Sequence, residues 1–533
     1  MSDKVQIYDT TLRDGAQMEG ITLSLDDKLK ITKLLDDLGV DFIEGGWPGA
    51  NQKDSDYFKK VKDIDLKHAK IVAFGSTRRA NGKVSSDPVL QALINAKTDY
   101  ITIVGKSWDM HVDVALSTTN KENLAMIYES IDYLKSLNKK VFLDAEHFFD
   151  GFKANPEYTF EVIDSAIKAG VDGIVLCDTN GGSLPNDVKN IVSKVVEKTK
   201  SKTRIGIHVH NDGELAVANS LAAFEAGATQ IQGTINGIGE RCGNANLISI
   251  IPNLYFKYNE KIVPDECIKI LTPTSRQISD ILNMNPDEHQ PFVGFSAFAH
   301  KGGLHASAVV KDSKTYEHIK PEDIGNSNKI LISDQAGISN IIETCRRQNI
   351  DLGDTPKETA KKLLGKIKEL ESKGYQFEDS GASFTILLLD LLNKKPKFFD
   401  LIDYRVLVNS KELSEATVRV KVKGESMHTA SLGVGPADAL DNALRKSLNR
   451  YYPEIKDFKL VDFKVRIVDG HAGSAAKTRV HVESSNGKTN WITVGLSTNI
   501  LDATWIAITE GIEYGLWLSQ ETVTAIPSHS LHS

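Results

Sequence analysis

Between residues 5 and 235 a short strand-like run occurs eight times, and helical patterns lie between most of these runs. They fall at 5–8, 40–44, 70–75, 99–104, 140–145, 171–177, 204–210 and 229–235, each apolar and rich in β-formers. The first intervening helix is bounded by Ser24, a good N-cap, and Gly39, a good terminator. Strand–helix repetition predicts parallel strands joined by crossover helices. Eight units within residues 1–263 predict an α/β fold, a closed (β/α)8 TIM barrel. A doubly wound open sheet uses the same units, but no glycine-rich dinucleotide fingerprint accompanies them.

A barrel of this kind places its chemistry where the strands end. Here the ends carry Arg13 and Asp14, Glu44, Arg78, Glu146 with His147, Asp178-Thr179-Asn180, His208 with His210, and Asn236-Gly237. Thr and Asp after a strand also serve as helix caps or turns. A merely structural barrel, however, has no need of polar side chains gathered at one end of nearly every strand.

His208-Val209-His210 is the sharpest feature of that rim. Alternate residues of a strand point to the same side, so the two imidazoles can converge while Val209 faces the helices. A divalent cation also needs a carboxylate. Asp14 can supply it, because strands one and seven both flank strand eight in a closed barrel. A His-His-Asp set leaves positions open for substrate oxygens or water.

Composition excludes several other roles. A net charge of −7 with interspersed signs argues against nucleic acid or a membrane surface as partner. The four cysteines are far apart and form no C-x-x-C pair, which suits a reducing cytoplasm and offers no disulfide framework. No run of about 18 apolar residues occurs, and the N-terminus enters the first strand without an apolar signal region.

Three motifs, in this order, resemble the 2-isopropylmalate, homocitrate and citramalate synthases. They are Tyr8-Asp-Thr-Thr-Leu-Arg-Asp-Gly15, His208-Val-His210 and Asn236-Gly-Ile-Gly-Glu-Arg-Cys-Gly-Asn244. The resemblance covers essentially the whole chain and implies a metal-dependent Claisen-type condensation of acetyl-CoA with a 2-oxo acid. Glu44-Gly-Gly-Trp-Pro-Gly49 and Asp144-Ala-Glu-His-Phe-Phe-Asp-Gly-Phe-Lys153 look most like the citramalate branch. The expected acceptor is therefore pyruvate. Matched residue by residue, Asp14, His208 and His210 hold the metal, with Asn244 at a fourth position. Mg2+, Mn2+, Co2+ and Zn2+ all suit such a set. Arg13 polarises the ketone oxygen, Glu146 is a catalytic carboxylate, and Thr179 and Glu44 contact substrate. His305, in Phe298-Ala-His-Lys-Gly-Gly-Leu-His-Ala306, matches the base that deprotonates the acetyl methyl group; His300 competes for that role and Tyr316 assists. Iron oxygenases and metal-dependent barrel hydrolases share a His-His-carboxylate set but place it differently. An acyl-CoA lyase related to this barrel, another 2-oxo acid acceptor, and a non-catalytic amino-acid sensor remain as alternatives.

Residues 264–396 are expected to be helical linker subdomains, with helices at 264–282, 356–372 and 383–394. Residues 397–533 change to strands at 404–408, 416–422 and 427–432 with a helix at 436–448. Strands at 459–468, 477–483 and 490–494 with a helix at 499–518 then repeat the pattern. Ser431-Leu-Gly-Val434 and Thr493-Val-Gly-Leu496 occupy matching places, so the tail reads as an α+β domain of duplicated βββα units. It resembles the dimerising regulatory domain of the same synthases, which implies a homodimer inhibited by an end product, here isoleucine. Gly470-His-Ala-Gly473 offers backbone amides to a carboxylate.

Overall fold

The computed structural model describes residues 4–199, 202–334, 336–348, 350–408, 412–468 and 476–524. It comprises two compact units, Met1–Phe298 with Ile319–Asn328, and Ala299–His318 with Lys329–Ser533.

The first unit is the barrel. Its strands are β1 (Gln6–Asp9), β2 (Phe42–Gly46), β3 (Lys70–Ser76), β4 (Tyr100–Lys106), β5 (Lys140–Glu146), β6 (Gly173–Asp178), β7 (Arg204–Val209) and β8 (Gln230–Gly233). They pair in sequence order, all parallel, and β1 closes on β8. Strand parity then sorts the side chains into two environments. Ile7, Ile101, Ile103, Val141, Leu143, Ile205, Ile207 and Val209 join the large core beneath the surrounding helices. Tyr8, Phe42, Val72 and Phe142 form a separate cluster. The same parity that puts Val209 among the helices puts its two histidine neighbours on the other face. The first helix, Leu25–Leu38, begins at a capping box made by Ser24 and Asp27 and ends at Gly39 in the left-handed conformation.

The barrel's packing continues past residue 263. The helix expected at 264–282 is shorter: a 3-10 turn at Ile268–Ile270 precedes an α-helix at Leu271–Ile281. Pro273 explains the difference, since proline is tolerated in a first turn but clashes with a preceding helical one. Leu271 and Ile278 from this helix join the barrel core.

In the second unit, helices Pro356–Ser372 and Gly381–Leu391 share a core that includes Leu363, Ile367, Phe384 and Leu388. Two three-stranded antiparallel sheets follow. Strands Phe399–Leu407, Ser414–Val422 and Glu425–Gly433 precede helix Pro436–Leu448. Strands Lys459–Ile467, Thr478–Ser485 and Asn490–Ser497 precede helix Ile500–Thr524. Both first strands are interrupted near the start, between Leu401 and Asp403 and between Leu460 and Asp462. Both third strands carry a glycine against which the following helix packs: a Cβ on Gly433 would lie 2.3 Å from the Ala439 nitrogen, and one on Gly495 would lie 1.9 Å from the Ala503 oxygen. These matched details support a duplicated βββα unit. Gly470-His-Ala-Gly473 lies outside the described residues. Gly495→Ala is expected to lower the unfolding temperature of this unit, by overpacking worth about 1–3 kcal/mol in calorimetry; an unchanged transition would contradict the packing.

One buried acid makes this unit sensitive to pH. The Glu510 carboxyl takes a hydrogen bond from the Ser383 hydroxyl, yet burial pushes its pKa up to about 7. The folded chain therefore retains this proton up to neutral pH, whereas the unfolded chain loses it in the ordinary carboxylate range. Stability should fall as pH rises through that interval. Glu510→Gln, neutral throughout, should unfold at a higher temperature relative to the parent at pH 8 than at pH 5. Equal differences at the two pH values would contradict the assignment.

Candidate metal centre and active site

Barrel closure brings three distant segments to one point. Asp14 follows β1, His208 lies in β7, and His210 follows it and bridges to Asn244. Asp14 Oδ2 stands 3.1 Å from His208 Nε2 and 3.9 Å from His210 Nε2. All three residues are buried, with ligand-capable atoms within 4.8 Å of one another.

The donor set fits a divalent cation. Gln232 Oε1 accepts from His208 Nδ1 at 2.9 Å, so the neutral ring turns its Nε2 lone pair toward Asp14. A lone pair and a carboxylate oxygen at that separation need a proton or a cation between them. Burial disfavours the His208 imidazolium, but Asp14 outweighs this and raises its pKa. Burial also works against Asp14 ionising; Arg13 overrides it, assisted by both histidines, and the carboxyl stays well below the usual carboxylate range. His210 is pushed down to about 4 by burial and by His208, so it is neutral at physiological pH. Asn244 Oδ1 is buried beside the site without a hydrogen-bond partner, an acceptor suited to a fourth position. Gly239 makes room for this residue: at φ +155° its absent Cβ would lie 2.1 Å from Asn244 Nδ2.

Arg13 stands next to this set under three constraints. Its Nε donates to Glu44 Oε1 at 2.5 Å, its Nη1 lies 3.3 Å from Asp14 Oδ2, and its guanidinium carbon lies 3.9 Å from the Phe74 ring centroid. Arg13, Asp14, Glu146, Thr179, His208 and His210 all line one cavity of 250 Å³. Glu146 pairs with Lys106, its register partner across β4 and β5. Thr179 Oγ1 accepts from the His147 backbone N–H at 2.9 Å, and His147 holds a left-handed φ of 56° to present it.

Some residues are placed otherwise than the sequence suggests. Glu44, expected to contact substrate, is 0% exposed and is absent from the cavity lining. Its two oxygens are taken by Arg13 and Tyr8, so it holds Arg13 rather than facing the cavity. Arg78 turns away from the rim to Glu122 and Glu129. His305 and Tyr316 belong to the second unit, where their rings stack at 4.3 Å; both are exposed. His300 instead meets Glu317 at 3.1 Å. Two cavity neighbours go unnoticed in sequence. Asp144 lines the cavity, and burial together with Glu44 pushes its carboxyl up to about 7. Gln232 connects it to His208. Strand parity with Glu146 was the available signal for Asp144.

Residues 4–270 match the HMGL-like family, residues 292–375 the homocitrate synthase post-HMGL domain, and residues 380–516 the LeuA allosteric (dimerisation) domain. The (R)-citramalate synthase of Aquifex aeolicus is 53% identical over 98% of this chain and 99% of its own. Those of Synechocystis and Geobacter sulfurreducens are 50% and 48% identical, covering 96% and 97% of this chain and 96% and 98% of theirs. The chain belongs to the citramalate and 2-isopropylmalate synthase family. As a member it is an acyl-CoA-condensing transferase. Among the described residues no helix is long and apolar enough to cross a membrane.

The geometry can be checked by titrating Mn2+ calorimetrically. Asp14→Asn and His208→Ala should abolish binding, and Gln232→Ala, acting through the His208 ring, should weaken it about 10–100-fold. Wild-type affinity in His208→Ala would remove that imidazole from the centre.

Proposed function

We propose that the chain condenses acetyl-CoA with pyruvate to give citramalate and free CoA. The observation that carries this reading is the convergence of Asp14, His208 and His210 next to Arg13, in a chain whose full-length relatives are named (R)-citramalate synthases. Asp14, His208 and His210 would hold a divalent cation (Mg2+, Mn2+, Co2+ or Zn2+), with Asn244 at a fourth position. Such a cation, when bound, supplies Lewis-acid polarisation of the 2-oxo acid.

The chain's own groups do the rest. Arg13 donates to the ketone oxygen and stabilises the alkoxide that develops there, a task for which its fixed aim is well suited. The Thr179 hydroxyl, whose oxygen is already tethered by the His147 N–H, keeps its proton free to donate to the pyruvate carboxylate. Glu146 is the catalytic carboxylate of the cavity. His305 removes a proton from the acetyl methyl group, with Tyr316 stacked against it. The resulting carbanion attacks the ketone carbon. Hydrolysis of the citramalyl thioester then releases CoA and makes the condensation effectively irreversible.

The duplicated tail matches an allosteric dimerisation domain, which supports a regulated homodimer; for a citramalate-forming enzyme the inhibitor would be isoleucine. Four free cysteines fit an enzyme of the reducing cytoplasm.

Release of CoA thiol from acetyl-CoA, with pyruvate, 2-oxoisovalerate or 2-oxoglutarate and with or without a chelator, tests the reaction. Chelator-sensitive release with pyruvate alone is expected; preference for a bulkier acid would keep the chemistry and overturn the acceptor. A chain ending at Pro396 is expected to lose inhibition by isoleucine, and inhibition that persists in it would place the inhibitor elsewhere.

A further inference from the structure

Beneath the rim, the barrel interior contains one hydroxyl that its packing does not require. Tyr8 is fully buried, its ring 5.7 Å from that of Phe42 and 6.2 Å from that of Phe142. A phenylalanine would fill the same space. A phenol in so dry a place is costly unless both its proton and its oxygen find partners. Here both do: the Tyr8 hydroxyl donates to Glu44 Oε2 at 2.6 Å and lies 2.7 Å from Thr102 Oγ1. Because its single proton is committed to Glu44, the Thr102 hydroxyl must donate to the phenol oxygen. Glu44 uses its other oxygen for Arg13 Nε. The hydrogen bonds therefore run from Thr102 to Tyr8 to Glu44, where they meet the one from Arg13. Burial and the Glu44 charge keep the phenol protonated, and so a donor.

We propose that Tyr8 is a positioning residue for the condensation, acting through Glu44 to fix the direction of the Arg13 guanidinium. A carboxylate held at one oxygen can pivot about that bond; held at both, it cannot. With the phenol proton removed, Glu44 would follow Arg13 instead of aiming it. The inference rests on the reaction proposed above, in which Arg13 meets the ketone oxygen, and it gives a reason for the tyrosine that opens the first motif.

Steady-state kinetics of Tyr8→Phe, Glu44→Gln and the double variant, well below their melting temperatures, test it. Tyr8→Phe should lower kcat about tenfold or more while leaving KM for acetyl-CoA unchanged. In the Glu44→Gln background the same change should have no further effect, because the two act in series. A lowered melting temperature with wild-type kcat would reduce Tyr8 to a packing residue and overturn the proposal, as would equal losses in both backgrounds. Should Tyr8→Phe fail to fold, Glu44→Gln decides the matter: Tyr8 acts only through that carboxylate, and wild-type kcat in Glu44→Gln overturns the proposal. Absence of thiol release by the unaltered enzyme would be a different failure, overturning the reaction itself and this inference with it.

Discussion

The arrangement of the rim depends on holding the Arg13 guanidinium, whose side chain is only 15% exposed. A charge so far withdrawn from water must be paired and hydrogen-bonded, because a partner removed leaves it poorly compensated. Glu44 and Asp14 are those partners. Their presence then conditions the groups around them. Burial makes a further anion beside them unfavourable, and with the Glu44 charge it pushes the Asp144 carboxyl up to about 7. Asp14 must serve Arg13 and the two histidines together, which keeps its charge fixed and puts an anionic oxygen where a cation can be held.

Topology makes this economy of groups possible. The ligand-bearing residues are separated by nearly two hundred positions, yet closure places β8 between β1 and β7, and the backbone bridge from His210 to Asn244 adds the loop after β8. The guanidinium of Arg13 and the carboxylate of Asp14 thus lie side by side in the lining of one 250 Å³ cavity.

How far the sequence discloses this follows from the range of the forces involved. Local signals were dependable: Ser24 and Gly39 bound a helix as their capping chemistry requires, and His208 and His210 share a face because strand parity demands it. Pairings across the barrel were not legible. Glu44 and Arg78 both read as rim groups, but one is claimed by Arg13 and Tyr8 and the other by Glu122 and Glu129, residues with no sequence relation to them. The same holds for the long helix expected from residue 264, where Pro273 cuts a turn that hydrophobic periodicity alone would continue. Strand ends marked Arg13, Thr179 and Glu146 and resemblance suggested their roles; all three do line the cavity with the His-His-Asp set.

If the acceptor 2-oxo acid is held at the Asp14–His208–His210 centre next to Arg13, its binding must depend on a metal there. Calorimetric titration of pyruvate into the metal-free protein and into the same protein saturated with Mn2+ tests this most directly. Saturable binding only with the metal present is the predicted result. Equal affinity in both titrations would contradict it, and would move the acceptor away from this centre.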